Sequence, residues 1–304
     1  MKKMAMAALV ATALMSLGSS VSAKEIKIGI TFQNMQNEFI IYMADSVRAK
    51  AKALGVTLVE SDGQGKAENQ VSAVENFIAQ KVDAIILNPF DKEGCAPAVD
   101  KAVAARIPIV VVNAQVVNLD KAAAYVGSDD IDAGKIEMQF IADKIGGKGN
   151  IALIHGPSGS SAEIQRTIGN MEILKKYPGI KVIFEQTANW DRAQALSLTE
   201  NWIQTGKKLD AIVAQNDEMA LGASRAAAAS KLDIPVIGID AIPDALKAVR
   251  DGKLAATVFQ DARGQGAGAV DLANKLANGQ KVEKTLYIPF QLVTKANLDK
   301  FMPK

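Results

Sequence analysis

Short apolar, β-branched runs alternate along the chain with longer stretches in which apolar residues recur every three or four positions. Residues 26–32 predict a strand. Phe39, Met43, Val47 and Ala51 then share one face of a predicted helix over 39–54. Strands at 56–61, 84–87 and 107–112 follow, with helices at 67–79 and 93–105 between them. Runs that are apolar on both faces suit parallel strands buried between helices. The rhythm then restarts. Strands at 150–155, 180–186, 210–214, 235–239 and 255–259 alternate with helices at 162–175, 190–204, 218–229 and 243–250. A helix at 264–276 and an extended stretch at 285–293 close the chain. Two such halves predict an α/β protein of two doubly wound parallel-sheet units. The joint is placed near Ser128, Asp129 and Asp130. The glycine-rich run at 146–149 is read instead as a helix end before a strand, since Gly suits the position after a helix.

The N-terminus stands outside this rhythm. Lys2 and Lys3 precede an apolar run over residues 4–17, and small residues Val21, Ser22 and Ala23 follow. This pattern predicts a signal peptide at 1–23, cut after Ala23, and hence a periplasmic mature chain. The apolar run is shorter than the roughly 20 residues a spanning helix needs. The chain has 304 residues, more than one core usually holds, so two domains are expected. Its net charge of +2 is spread rather than clustered, which gives no footprint for nucleic acid. Cys95 is the single cysteine, so no intrachain disulfide can form, and it is read as a small buried residue. His155 is the single histidine, which removes most Ser-His and Cys-His catalytic schemes and metal sites built on His or Cys. No cofactor and no catalytic residue is assigned.

Ligands in open parallel sheets bind beyond the carboxyl ends of the strands. The residues there are Gln33, Asn34, Gln36, Asn37 and Phe39 after the first strand, and Asn113 and Gln115 after the fourth. In the second half they are the loop 156–161 with Arg166 beyond it, then Asn189, Trp190, Asp191, Arg192, Gln215, Asn216, Asp217, Asp240 and Gln260. Amides, carboxylates and Arg suit a polyhydroxylated molecule, whose hydroxyls both donate and accept, while its C–H face can lie on an aromatic ring. Singly, such residues are as readily caps and turns. Asp191 and Asp217 are read as caps, and Trp190 taken alone as core. The loop 156–161 lacks the Gly-Lys-Ser/Thr ending of a phosphate loop. A carboxylate pair such as Asp217 with Asp240, or Glu218, leaves open an enzyme acting on carbohydrate.

Several segments together resemble the ribose-binding-protein-like, type I periplasmic binding proteins, the sugar-binding components of ABC importers. They are Gln215 to Gly222 (QNDEMALG), Ile237 to Asp240 (IGID), Asp251 to Thr257 (DGKLAAT) with Gln260, Asn37-Glu38-Phe39 and Asn88-Pro89. The resemblance covers essentially the whole mature chain. It implies a Venus-flytrap fold with a three-strand hinge near Ser128, Gln260 and Pro289. The N-terminal lobe would then be 24–127 plus 261–289, and the C-terminal lobe 128–260 plus 290–304. It implies ligand contacts from Gln33, Asn37, Phe39, Asn113, Arg166, Trp190, Asn216, Asp240 and Gln260. It also implies a monomer that delivers its ligand to a membrane permease, or presents it to a chemoreceptor or histidine kinase. One departure bears on the ligand. Many ribose-type members carry Asp-Arg where this chain has Asn113-Ala114, and loss of that Arg removes up to five fixed donors and a charge. Phe is common where Ile40 stands. These changes point away from ribose, towards a cyclitol such as inositol, a linear polyol or another sugar.

Overall fold

The computed structural model describes residues 25–302. The signal peptide read at residues 1–23 lies outside them. The chain opens with β1 (Lys27–Phe32), α1 (Glu38–Leu54), β2 (Thr57–Asp62), α2 (Ala67–Ala79), β3 (Ala84–Leu87), α3 (Ala96–Ala104), β4 (Ile109–Asn113) and β5 (Ala124–Gly127). It continues through α4 (Asp130–Lys144), β6 (Lys148–His155), α5 (Ser161–Leu174), β7 (Gly179–Thr187), α6 (Arg192–Gln204), β8 (Ala211–Ala214), α7 (Asp217–Ala229), β9 (Val236–Asp240), α8 (Pro243–Arg250) and β10 (Ala256–Phe259). It ends with α9 (Ala262–Ala277), β11 (Thr285–Tyr287) and β12 (Gln291–Val293).

Two six-stranded sheets result, ordered β11-β5-β4-β3-β1-β2 and β12-β10-β9-β8-β6-β7. All pairings are parallel except β10 with β12. The central strands β3 and β8 are buried along their whole length, as strands covered on both faces must be. The chain passes between the sheets three times: from β5 to α4, from β10 to α9, and from β11 to β12. Helix α9 packs on α1 and the first sheet, whereas α4 packs on α5 and the second. Cys95 is fully buried, with its thiol 3.2 Å from Gln70 Oε1.

The sequence reading omitted β5 and gave only the end of α4, at the glycine-rich run 146–149. The helix fails an apolar-periodicity test because its buried face carries Asp130, Gly134 and Glu137 alongside Ala133, Met138 and Ile141. Gly134 is required there, since a Cβ would overlap the carbonyl of Arg166 on α5. The extended stretch at 285–293 is two strands in different sheets, with Pro289 in the short connection between them. Trp190 is placed by the sequence at the start of a helix over 190–204, but α6 begins at Arg192, and Asn189 and Trp190 are both left-handed, with φ of +54° and +61°.

Candidate functional site

The carboxyl ends of β1 and β4 in one lobe face those of β6, β9 and β10 in the other. Between them lies a cavity with about 370 Å³ of empty space, part of it open to solvent. Gln33, Asn37, Phe39, Asn113, Arg166, Trp190, Asn216, Asp240 and Gln260 all line it. The structure therefore brings together the nine residues that the resemblance implies as ligand contacts, whereas Asn34, Gln36, Gln115, Asn189, Asp191, Arg192, Gln215 and Asp217 from the strand ends do not line the cavity. Ala114, Ser160 and Ala162 complete the wall. The lobes also meet at the rim. Lys92 N donates to Gly159 O at 2.8 Å, Gln115 N to Ser161 Oγ at 2.7 Å, and Arg192 Nη2 lies 3.7 Å from Glu38.

Asn37 and Asn216 are helix N-caps. Asn37 Oδ1 accepts from Ile40 N at 3.4 Å, and Asn216 Oδ1 from Met219 N at 3.0 Å. An Asn cap spends its oxygen on the helix and keeps an NH₂ group. Neither Nδ2 has a protein partner among the described residues, so both remain available as donors to the cavity. Asn113 differs. It ends β4 with φ +68°, its Nδ2 donates to Gln265 Oε1 at 3.0 Å, and its Oδ1 accepts from Asn88 Nδ2 at 3.3 Å. Its side chain is tied into a chain of neutral amides that reaches Ser128 through Gln265 Nε2 at 3.1 Å. Gln33 joins the same network through its backbone N–H, 3.1 Å from Asn88 Oδ1.

Arg166 is buried on α5. Its Nε donates to Asp130 Oδ1 at 2.9 Å, its Nη2 to Gln260 Oε1 at 3.1 Å, and its Nη1 to the carbonyl of Gln215. The guanidinium carbon sits 5.6 Å from the Trp190 ring centre and 5.8 Å from that of Phe290. Of the five guanidinium N–H groups, those left over are free to meet a ligand. Trp190 packs directly on Gly156, where a Cβ would overlap the indole. Gln260 Nε2 is buried with no partner among the described residues, a donor in want of an acceptor. Asp240 ends β9, and its carboxylate has no protein donor among the described residues; burial pushes its carboxyl well above the usual range, against the pull of Arg166.

Asp130 and Phe290 escaped the sequence reading, which reaches Ser160 only as part of the strand-end loop 156–161. Asp130 was seen only as a joint residue, because its pairing with Arg166 arises from the tertiary packing of α4 on α5. Asp217 is not the cap it was taken for. Asn216 caps α7, and the Asp217 carboxylate instead accepts from Ile242 N at 2.9 Å and Thr257 Oγ1 at 2.6 Å. Glu218 is engaged by Arg192 Nε at 2.6 Å. Among the lining residues Asp240 is thus the one carboxylate, with no second one across the cavity as a glycosidase pair requires. His155 also lies off the cavity. Burial alone would lower its pKa, but the Glu163 and Glu185 carboxylates beside it outweigh burial and hold it above its usual value. Among the described residues, no group of His, Cys, Asp and Glu is arranged to hold a metal.

Residues 28–281 match the family model described as a periplasmic binding protein domain. A protein of Rhizobium meliloti named for rhizopine binding is 40% identical over 294 residues, covering 94% of this chain and 95% of that one. A xylitol-binding protein of Mycolicibacterium smegmatis is 38% identical over 275 residues, covering 90% of this chain and 78% of the relative. Among solved structures, an ABC transporter solute binding protein from Bacillus halodurans with bound myo-inositol superimposes with a TM-score of 0.89. It is 41% identical and covers 91% of this chain and 97% of that one.

Proposed function

The chain belongs to the periplasmic binding protein family, and on that premise we propose that it captures a small polyol in the periplasm and delivers it to an ABC-type permease. A cyclitol such as myo-inositol is the first candidate. The observation that carries this reading is the cavity wall. Two capping amides and the Gln260 amide offer N–H donors, Arg166 offers its remaining N–H groups, and Asp240 offers an unpartnered carboxylate. Phe39 and Trp190 supply the aromatic surfaces for C–H faces. A ligand with hydroxyls all round its ring satisfies donors and acceptors from both lobes at once. The methyl group of Ala114, where ribose-type members carry a guanidinium, offers no donor to a ring oxygen. That supports a carbocycle or an open-chain polyol over a pyranose. The solved relative with myo-inositol and the xylitol-binding relative lie on the same side of that division.

Because the ligand would contact both lobes, it binds the closed arrangement better and shifts the population towards it. The bodies that close would be 24–127 with 261–289 and 128–260 with 290–304. Two measurements test the reading. Mass spectrometry of small molecules released on denaturation should find a polyol, and calorimetry with myo-inositol, xylitol and D-ribose should show the polyols bound more tightly than ribose. Tighter binding of ribose, or release of an apolar or phosphorylated molecule, would overturn it.

A further inference from the structure

Asp240 reaches the cavity from a backbone that L-residues rarely adopt. Its φ is +131°, and Ala241 follows at +58°. Conformations of this kind are strained and persist only where the surroundings over-determine them. The surroundings here are two buried side chains. Thr257, on β10, accepts from Ala241 N at 3.3 Å and donates to Asp217 Oδ1 at 2.6 Å. The other oxygen of Asp217 accepts from Ile242 N at 2.9 Å. Both N–H groups that follow Asp240 are thereby held by one carboxylate–hydroxyl pair. The arrangement needs a glycine at position 238, which lies beside Thr257 in the β9–β10 ladder, because a Cβ there would overlap Asp217 Oδ1.

The geometry points to Thr257 and Asp217 as positioning residues for ligand binding: neither lines the cavity, and together they hold the turn that aims the Asp240 carboxylate into it. The inference rests on the polyol-binding reading of that cavity. Its consequence is that affinity depends on a hydroxyl buried behind the site. Thr257→Val keeps the volume, removes the donor to Asp217 and leaves Ala241 N without an acceptor.

The test is a double-mutant cycle read by calorimetry with myo-inositol, xylitol and D-ribose as probes. Thr257→Val should lower affinity about tenfold for whichever probe the wild-type protein binds, and Thr257→Ser should restore most of it. In an Asp240→Ala background Thr257→Val should cause no further loss, because the group it positions is gone. An equal loss in both backgrounds, or a lowered Tm with unchanged affinity below the melting range, would overturn the positioning role. Loss-free binding by Asp240→Ala would sink the site reading instead. Should none of the three probes bind, amide hydrogen exchange still decides: the Ala241 and Ile242 amides must exchange faster in Thr257→Val than in wild type and Thr257→Ser. Unchanged exchange at both amides refutes the cradle. Asp217→Ala removes more of the same support and, where it folds, should repeat the Thr257→Val result.

Discussion

The two lobes bury different kinds of polar group. In the first, the buried polar residues are neutral: Thr31, Gln70, Asn88 and Gln265. In the second they include Asp130, Glu137, His155, Arg166, Asp217 and Asp240. Ionisable groups taken out of water are costly unless paired and fully hydrogen-bonded, so the second lobe must hold them rigidly. It does so through the Asp130–Arg166–Gln260 chain and the Thr257–Asp217 pair. The first lobe presents one capping amide, a fixed amide network and the Phe39 ring. On the proposed polyol-binding reading, the second lobe would supply orientation and charge and the first coverage. The second lobe would bind ligand before closure, and the first would seal it.

The largest effect should come from Arg166→Met. Hydrogen bonds to charged groups contribute about 1.5–3 kcal/mol each, so affinity for myo-inositol should fall at least about 100-fold by calorimetry. Asp130 would also be left buried without its partner, at a cost of about 3–5 kcal/mol in denaturant melts. A loss confined to affinity would mean that the second lobe does not rely on the pair.

Glu137→Gln tests the charge asymmetry without touching the cavity. Burial pushes the Glu137 carboxyl from its usual 4.5 up to about 8, with the Asn170 amide and Arg166 offsetting only part of that. The folded state therefore holds this proton more tightly than the unfolded chain. The associated stability is complete below about pH 4.5 and is lost as pH rises through about 8. Replacing Glu137 with Gln removes that falling limb. The variant should gain on wild type by roughly 2–4 kcal/mol between pH 5 and pH 9 in melts across pH. A parallel pair of curves would contradict it.

The smallest effect should come from the first lobe. Asn37→Ala removes one neutral donor and a long cap bond, together about 1 kcal/mol each in affinity and stability. Calorimetry should show about a fivefold loss. A loss as large as that of Arg166→Met would erase the division between the lobes.

Much of this arrangement is legible in the sequence, because strand ends in parallel sheets are marked by where apolar runs stop. Asn37, Asn113, Asn216, Asp240 and Gln260 all follow such stops and all line the cavity. The unread parts are those in which polar residues replace the expected apolar ones. Only the end of helix α4 is legible, because Asp130 and Glu137 occupy its buried face. Asp217 was misread because a carboxylate at a helix start looks like a cap, and only the approach of β10 and the Asp240 turn gives it another task. The pairing of Arg166 with Asp130 depends on two helices meeting at Gly134 and Gly169, a contact no periodicity encodes.

The final passage of the chain has a consequence for folding order. β11 forms the edge of the first sheet and β12 that of the second, and α9 covers the first lobe only after the second sheet's parallel strands are complete. Neither lobe is therefore finished by a chain whose last segment has yet to arrive. Contacts between distant parts of a sequence form slowly because the intervening loop must first be closed. A polypeptide delivered from its N-terminus would stay open to the end, and would commit to its two compact bodies almost together.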